Sequence, residues 1–479
     1  MVIPTFRLRE AQVYSRQVHT RMPFRFGRAT MTQMPVLHLR LEVEGRGGEA
    51  VVGVSASGIP PLWFDKGANK THTDNILDLS LSLRLALEHY MALDPAPVWF
   101  LHRVAEPAVR AAAAAKGLNE LTAGFGIALV DAALVDAACR EAGVGFHGAL
   151  RTDLFGMGPH WASLLPPQPA ARIAVRHTVG LSDPLVPSDI THPVGDGLPE
   201  TLEAAVRSQG LGYFKIKIPG DDAEALDRLR RVASVLDAHA GDYRATLDGN
   251  EQFRDMDGFA SFMSRAAADE PLQELWKRTL WIEQPVERKA SLRDEAIPAL
   301  RVVSAIKPVI LDEADGDDET AARGLAMGYR GVSAKNCKGV FRSLNSYKLM
   351  REMEARVGQK AILSSEDLSH VPVVPLHQEL CVAAALGLSH CERNGHHYFV
   401  GFAFLSEREQ AEALREFPSL YRTRPDGPPV LRIEEGHLDL REINRAGFGT
   451  RSEPDWEALE PVRLPDVPAD IIEDKRSVK

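Results

Sequence analysis

Two lysines, Lys215 and Lys217, stand two residues apart in the stretch GYFKIKIPG, which is otherwise apolar and aromatic. In a β-strand, residues i and i+2 point to the same face, so both ammonium groups lie on one side. Two like charges on one face of a buried strand are unfavourable unless a neighbouring group requires them. The pair therefore indicates a site that uses positive charge, unless the strand lies at a solvated sheet edge.

Three acidic residues follow the lysine pair, each at the end of an apolar run: Asp248, Glu283 and Asp312. They are 35 and 29 residues apart, which is about one strand–helix unit in each case, and Lys335 ends the next run. Three hard oxygen ligands with open positions between them suit Mg²⁺. The pattern predicts a Mg²⁺ site at the strand ends, with lysine-bearing strands on both sides of it.

Each of these residues also has an ordinary structural interpretation. A single Asp or Glu at a strand end is commonly a helix cap or a surface charge, and DEADGDDE after Leu311 also suits the start of a helix. Six such residues at matching ends of five successive strands favour one joint functional site.

Short β-rich runs that alternate with helical segments fill the middle of the chain and start about 30 residues apart. This alternation predicts right-handed βαβ units, and eight units predict a (β/α)8 TIM-type barrel of the α/β class. The eighth run is the least regular, and residues 386–392 compete with it. The predicted strands are 172–180, 213–218, 243–249, 280–285, 308–314, 331–337, 361–367 and 396–402.

The chain outside the barrel has a different pattern. Alternating apolar residues in 5–55 predict strands, and helical patterns follow up to Gly143. We therefore expect an N-terminal α+β capping domain over residues 1–150 and the catalytic barrel over 165–404. The last segment, 405–479, is expected to return to the capping domain.

Composition narrows the class of protein. Of 479 residues, 44% are apolar and 25% are charged, as in soluble globular proteins. The net charge of −10 argues against nucleic-acid binding as the main task. The sequence shows no obvious membrane helix or secretory leader, and its four cysteines lack metal-type spacing. We expect a cytoplasmic enzyme with no nucleic-acid or membrane partner.

The motifs KIK, LDGNE, IEQP, LDEA and SAKNCKG together resemble the enolase superfamily, specifically its muconate-lactonizing-enzyme-like subgroup within the mandelate racemase/muconate lactonizing enzyme family. The resemblance extends over nearly the whole chain. It implies that Asp248, Glu283 and Asp312 bind Mg²⁺, with Mn²⁺ as a substitute. It also implies that Lys217 and Lys335 are acid/base catalysts, that Lys215 is an electrostatic helper, and that Asn250 supports the ligands and the substrate.

Two motifs depart from the family pattern: DEA replaces the more usual DES, and CKGVF replaces a glycine pair. Both changes reshape the expected pocket wall without removing a catalytic atom. The related His-Asp dyad is not expected, because Lys335 stands where the Asp would lie and leaves His370 without that partner.

The reaction that the resemblance implies is removal of the α-proton of a small-molecule carboxylate to form an enediolate. A lysine base needs a lowered pKa, which a neighbouring ammonium and a metal ion promote. Lysines on both faces of the substrate carbon favour racemisation or epimerisation, with cycloisomerisation or syn-elimination as alternatives. A Schiff-base lyase and an inactive binding protein are weaker alternatives.

The resemblance places substrate specificity in two capping loops, RMPFRFGRAT and VSASGIPPLWFDKG. Arg21, Arg25 and Arg28 are candidates for binding a second anionic group of the substrate. Aromatic residues of the same loops, Phe24, Phe26 and Trp63, are candidates for shielding the pocket from water. A homo-oligomer is expected, as in many barrels of this kind.

Overall fold

The structure is a computed structural model, and it describes residues 3–464. An antiparallel sheet forms the first part of the N-terminal domain, with strands β1 (Arg7–Phe26), β2 (Ala29–Glu44) and β3 (Ala50–Gly58). Gly27 makes the tight turn between β1 and β2 with φ of 51°, a backbone conformation that glycine adopts without strain. Alternate residues of β2, such as Leu39, Leu41 and Val43, point into the core.

Three helices cover this sheet: α1 (His72–Met91), α2 (Val98–Ala115) and α3 (Glu120–Ala142). Thr71 begins α1 with a capping box to Asp74, and Asn119 caps α3 through the Thr122 N–H. Gly143 ends α3 in the left-handed conformation. The helix α3 is long and apolar enough to cross a membrane, which the sequence reading overlooked, but its apolar stretch is wholly buried within the protein. Small residues let α3 pack closely against β3 and α1.

A barrel of eight parallel strands follows, and hydrogen bonding runs β8-β7-β6-β5-β4-β11-β10-β9 around it. A bridge between Leu311 and Val332 connects β8 to β9 and nearly closes the barrel. This confirms the predicted TIM-type barrel. The strands are β4 (Arg172–Val179), β5 (Tyr213–Lys217), β6 (Arg244–Asp248), β7 (Thr279–Glu283), β8 (Val309–Ile310), β9 (Gly331–Ala334), β10 (Ile362–Ser365) and β11 (His390–Arg393).

Helices precede and connect these strands on the outside of the barrel. They are α4 (Phe146–Arg151), α5 (Trp161–Leu164), α6 (Leu202–Gln209), α7 (Asp222–His239), α8 (Met256–Ala268), α9 (Gln273–Arg278), α10 (Arg288–Ser291), α11 (Ile297–Ile306), α12 (Thr320–Met327), α13 (Val340–Val357), α14 (Val374–Ala385) and α15 (Gly395–Tyr398). Short 3-10 helices occur at Arg46–Gly48, Pro187–Asp189, Glu270–Leu272, Asp294–Ala296, Asn336–Lys338 and Trp456–Ala458.

The first seven barrel strands overlap the predicted runs, but the prediction of the eighth strand at 396–402 is wrong. That segment begins as the short helix α15, and the eighth strand is β11, which overlaps the competing run 386–392 and extends one residue beyond it. Tyr398 and Phe399 resemble strand residues because both are buried, yet the ring of Tyr398 stacks on Phe24 of the N-terminal domain. Periodicity alone does not separate these two kinds of burial.

The C-terminal segment touches both parts of the molecule. It contains α16 (Glu407–Glu416), β12 (Tyr421–Arg422), β13 (Val430–Leu431), β14 (His437–Asp439) and β15 (Glu460–Pro461). β14 pairs antiparallel with β4 of the barrel, whereas β15 pairs with β1 of the N-terminal sheet. Of the predicted domains, residues 1–2 of the first and 465–479 of the last lie outside the described residues.

Charged and aromatic side chains fill much of the barrel interior, where TIM barrels usually hold branched apolar residues. Arg176, Lys215, Glu283 and Glu366 are all fully buried there. Buried charges are tolerated only when they are paired, so this interior is built around ion pairs rather than apolar layers.

Candidate active site

Lys215 lies at the centre of the charged cluster, on β5. Its Nζ is 2.7 Å from Glu283 Oε2, 3.0 Å from Asp248 Oδ2 and 3.0 Å from Glu392 Oε2, and it also contacts Glu366. Burial lowers the pKa of Lys215, but the surrounding carboxylates outweigh burial and raise it well above its ordinary value. Lys215 is therefore a permanent cation that holds carboxylates from four strand ends together.

Lys217 is the last residue of β5 and lies on the same face of the strand as Lys215, two residues further on. Its Nζ donates to Asp248 Oδ2 at 2.6 Å. The other oxygen of Asp248 accepts the backbone N–H of Asn250 at 2.8 Å, and the Asn250 side chain donates to Glu313 at 3.1 Å. Asn250 thus orients Asp248 through its backbone and keeps one buried side-chain oxygen without a partner.

Lys335 lies across the barrel mouth, just after β9. Its Nζ contacts the carboxylate of Asp312 and stands 4.6 Å from the ring centre of Trp63 on the capping loop. Burial lowers the pKa of Lys335, whereas Asp312 raises it by more, so the net pKa lies above the ordinary value. The same pairing and Lys338 hold the pKa of Asp312 far below its usual range in spite of burial.

Lys338 also points towards the barrel. Its Nζ is 2.9 Å from Asp315 Oδ2 and 2.8 Å from the hydroxyl of Ser333. It also contacts the backbone carbonyl of Asp312 at 3.1 Å. Lys338 therefore holds the segment Asp312–Asp315 in place, and it does not line the small cavity that is described below.

Three interior residues were missed by the sequence reading: Glu366 after β10, Glu392 on β11 and Arg176 on β4. Glu366 contacts both Lys215 and Arg176, and Glu392 also accepts from Thr178 at 2.9 Å. Glu366 and Glu392 obey the same strand-end rule that identified the other acids. The signal was therefore present in SSED and HCER, but the uncertain position of the eighth strand obscured it for Glu392.

The three predicted metal ligands reach one region of the barrel mouth. Burial, with the carboxylates of Asp248 and Glu366 close by, raises the pKa of Glu283 well above its ordinary value. Glu283 Oε2 is buried and accepts no hydrogen bond, and it lies 2.7 Å from the Lys215 ammonium. Carboxylates buried close together are groups that a divalent cation stabilises, so the donor set fits Mg²⁺ in its chemistry.

In this structure the lysine ammonium groups, chiefly those of Lys215 and Lys335, hold these carboxylates in place. Within residues 3–464, no group of three or more His, Cys, Asp or Glu side chains has the close spacing of a preformed metal site. The reason is visible at Lys215, whose Nζ occupies the point where oxygens of Asp248 and Glu283 converge. The metal-ligand roles of Asp248, Glu283 and Asp312 stay a prediction.

A small cavity of about 20 Å³ lies above the lysines. Its apolar wall comes from the capping domain, through Phe24, Phe26 and Trp63. Its polar floor and sides are Lys217, Lys335, Asn250, Glu392, Asp367, Ser369 and Asn394. Larger cavities occur elsewhere in the molecule, but this one holds both predicted bases and is the candidate active site.

The structure does not bring Arg25 and Arg28 to this cavity. Both are exposed, whereas Phe24 and Phe26 line it. The physical reason is the two-residue period of β1, which turns Arg25 outward when its neighbours point inward. Arg21, the remaining candidate arginine of the loop, donates two hydrogen bonds of 2.6 and 2.7 Å to the carboxylate of Asp196.

Lys66 attaches the loop that carries Trp63 to the barrel. Its Nζ is 2.6 Å from Glu251 Oε2 and 3.0 Å from Glu313 Oε1, and it donates to the Asn250 carbonyl at 3.0 Å. Arg288 reinforces the contact by binding Glu251 and the backbone carbonyls of Trp63 and Phe64. The loop is therefore closed over the cavity by charged contacts.

Comparison of the sequence with protein-family models and with curated proteins finds no match. Solved structures, however, match over nearly the full length. A dipeptide epimerase from Cytophaga hutchinsonii, complexed with Mg and the dipeptide D-Ala-L-Val, is 13% identical with a TM-score of 0.61, covering 96% of this chain and 99% of that one.

Two further structures give similar values. A muconate lactonizing enzyme from Pseudomonas fluorescens complexed with muconolactone is 15% identical with a TM-score of 0.61, covering 94% of this chain and 98% of that one. An N-succinyl Arg/Lys racemase from Bacillus cereus is 15% identical with a TM-score of 0.60, covering 95% and 100%. The chain therefore shares its fold with a muconate lactonizing enzyme and a dipeptide epimerase, which is the fold that the resemblance of its motifs implied.

Proposed function

We propose that this protein is a Mg²⁺-dependent enzyme that removes the α-proton of a small carboxylate, and that Lys217 and Lys335 are its two bases. The observation that carries the proposal is that both lysines line one cavity directly above a cluster of buried carboxylates. A binding protein has no need of two buried lysines at such a place, because buried charge lowers stability unless it is paired.

Asp248, Glu283 and Asp312 would hold the metal ion in this proposal. When bound, a divalent cation supplies positive charge that stabilises the negative charge developing on the substrate carboxylate. The same added charge disfavours protonation of nearby lysines. It opposes the effect of Asp312, which in the present arrangement keeps the pKa of Lys335 above its ordinary value.

The lysines then take opposite parts in the proton transfer. One neutral amine accepts the α-proton on its side of the substrate carbon, and the ammonium on the other side returns a proton to give the inverted centre. Lys215 contacts carboxylates on several sides and does not line the cavity, so it stays protonated and maintains the charge balance of the site.

The wall of the cavity favours a substrate with an apolar or aromatic substituent. Phe24, Phe26 and Trp63 surround the space above the lysines. Among the described residues no arginine lines this cavity, so the substrate needs no second anionic group. A volume of about 20 Å³ is too small for such a molecule, so the capping loop has to move during binding.

Racemisation or epimerisation is the reaction we favour, because a lysine lies on each side of the cavity. The neighbours support the wider reaction class, since they include an epimerase, a racemase and a lactonizing enzyme. Cycloisomerisation or syn-elimination uses the same first step and remains the alternative.

The proposal is tested by α-proton exchange in D₂O, followed by ¹H NMR with Mg²⁺ and with EDTA. The panel contains dipeptides, N-acyl amino acids, acid sugars and cyclic dienoic acids. We expect at least one class to exchange only with Mg²⁺, and we expect each of Lys217→Ala and Lys335→Ala to lose exchange of one enantiomer of that class. Exchange that continues in EDTA, or that continues with both enantiomers in both variants, would reject the proposal.

A further inference from the structure

A second cavity, of about 970 Å³, is bordered by the C-terminal segment of the chain. One wall is the hairpin of β12 and β13, and another is the loop 195–199, which precedes α6. Residues of α15 also line it. Cavities that bind small molecules usually measure about 300–1,000 Å³, so this one is large enough for a ligand. The proposed function uses none of these segments.

The loop 195–199 is fixed in position by charged contacts. The side chain of Arg21 is 1% exposed and donates to the Asp196 carboxylate at 2.6 and 2.7 Å. It also donates to two backbone carbonyls of the loop and to that of His397 in α15, at 3.1–3.3 Å. This wall is therefore organised before a ligand binds, which reduces the entropy lost on binding.

Three arginines of the hairpin segment line the cavity: Arg422, Arg424 and Arg432. Arg422 pairs with Val430 across the hairpin, and the Arg432 N–H continues the ladder by donating to the Leu420 carbonyl at 2.8 Å. Paired residues, and residues two apart on one strand, point to the same face, so Arg422 and Arg432 share a face. Diagonal neighbours of this kind are about 7–8 Å apart, so both long side chains can reach one ligand group.

The charges of these arginines are only partly compensated among the described residues. Arg422 is exposed and makes no side-chain hydrogen bond or ion pair there. Arg432 has one ion pair, with Glu434 at 3.8 Å, and the two side chains are 40% and 69% exposed. A pair that long and that exposed contributes little. Arg424 donates to the backbone carbonyl of Asp196.

The cavity is locally positive, although the chain has a net charge of −10. Four arginines and three acids line it, which leaves one positive charge, and the acids are Asp196, Asp426 and Glu434. The histidines that line it are neutral, because burial lowers the pKa of each of them: His370, His396 and His397. The guanidinium groups therefore favour an anion over a cation at this place.

The same cavity also offers apolar surface. Leu198 of the loop, Leu431 of the hairpin and Ile433 line it, and all three are half-buried rather than fully covered. A ligand with an anionic group and an apolar part matches both features. Among anionic groups, a phosphate has three oxygens and a second negative charge, so it can accept from two guanidinium groups at once.

We propose that this cavity is a second binding site, for a small organic phosphate. The phosphate group would accept from Arg422 and Arg432, with Arg424 beside them, and the apolar part would lie against Leu198 and Leu431. Recognition here uses neither Mg²⁺ nor the lysines of the candidate active site. The site is therefore independent of the chemistry proposed at the barrel mouth.

The test is isothermal titration calorimetry of the full-length protein at pH 8, in EDTA and in a buffer without phosphate. The probes are phenyl phosphate, benzoate and benzyl alcohol. Phenyl phosphate is a dianion at this pH, because the second pKa of a phosphate monoester is about 6. We expect it to bind saturably and about tenfold more tightly than benzoate, whose single charge is shared between two oxygens. Benzyl alcohol, which has no charge, is expected not to saturate.

Variants assign the binding to the hairpin. Arg422→Gln with Arg432→Gln removes both charges and keeps polar side chains, so it is expected to weaken phenyl phosphate about tenfold or more. Arg422→Gln alone is expected to weaken it about threefold and, because Arg422 is exposed, keeps the test open should the double variant fail to fold. Arg415→Gln is the matched control, since Arg415 is exposed, pairs with Glu416 and lies outside the cavity.

Lys335→Ala tests whether the probe binds at the candidate active site instead, and it is expected to leave the affinity within about twofold. The proposal is overturned if phenyl phosphate does not saturate, or if benzoate binds as tightly. It is also overturned if both hairpin variants bind like the wild-type protein, if Arg415→Gln weakens binding as much as they do, or if only Lys335→Ala weakens it. Circular dichroism melting of each variant establishes that the comparison is made on folded protein.

Discussion

Lys215 Nζ and Glu283 Oε2 are 2.7 Å apart in the interior of the barrel, and both side chains are fully buried. Lys215 is thus the counterion of the acids that we assign to the metal. Lys215→Met would leave these carboxylates uncompensated and is expected to lower the free energy of unfolding by about 3–5 kcal/mol. Urea unfolding at pH 7.5 measures this change.

Mg²⁺ provides a further readout for the same variant. If the carboxylates bind the ion, Mg²⁺ restores part of the lost stability in Lys215→Met and has a smaller effect on the wild-type protein. Lys277→Met is the matched control, because Lys277 is exposed and, within residues 3–464, its one ion pair is with Glu274. An equal response of both variants to Mg²⁺ contradicts the assignment.

The loop that carries Trp63 is fastened by Lys66 to the buried acids Glu251 and Glu313. Lys66→Met removes this contact and leaves Glu313 buried without its cation, so the loop is expected to open more often. Amide hydrogen exchange in residues 59–70 should then rise by about tenfold or more, which corresponds to about 1.4 kcal/mol or more of lost closure. Lys70→Met, at a neighbouring lysine that pairs with Asp78, should leave that exchange nearly unchanged.

Glu379 lies beneath the cavity, where it accepts the Asn336 N–H at 2.9 Å and stands 3.5 Å from His370 Nδ1. Burial raises the pKa of Glu379 from 4.5 to about 8. Between those two values the native state binds a proton that the unfolded state releases, so stability falls as pH rises, by about 1.4 kcal/mol per pH unit.

Glu379→Gln keeps an acceptor for Asn336 and cannot ionise. We expect the stability of the wild-type protein relative to this variant to fall by about 2–3 kcal/mol between pH 5.5 and 7.5. Urea unfolding of both proteins at the two pH values measures this. A difference that does not vary with pH shows that Glu379 titrates normally.

Variants of the first loop test whether substrate specificity depends on its arginines or on the aromatic wall of the cavity. Because Arg25 and Arg28 point away from the cavity, the double change to Gln is expected to alter the Mg²⁺-dependent exchange rate by less than about twofold. Trp63→Leu removes a wall of the cavity and the ring beside Lys335, and is expected to reduce the rate by about tenfold. Loss of activity in the arginine variant instead would restore the role that the sequence suggested.

The sequence predicted the barrel because its signal is local and repeated. Each strand ends at a polar residue after an apolar run, and the period of about 30 residues is set by one strand plus one helix. Asp248, Glu283, Asp312 and Lys335 could therefore be assigned to one end of the barrel before their distances were known.

Other features depend on contacts between distant segments and have no local signal. Whether Arg25 faces the cavity depends on which face of β1 is turned towards the barrel, and β1 pairs with β2 and β15 rather than with a barrel strand. A shift of one residue along β1 would reverse every side chain. Arg176 was missed because an arginine inside a strand usually indicates an exposed face, whereas here Glu366 and His390 pair with it inside the barrel. Buried ion pairs of this kind become evident only when the partners are known.

The central claim is that Lys217 and Lys335 act on opposite faces of one carbon, and exchange with separate enantiomers tests it most directly. The substrate class that exchanges with the wild-type protein is supplied as each pure enantiomer in D₂O with Mg²⁺. We predict that Lys217→Ala abolishes α-proton exchange of one enantiomer and Lys335→Ala that of the other, while the wild-type protein exchanges both. Exchange of the same enantiomer lost in both variants, or retained in both, contradicts the two-base account.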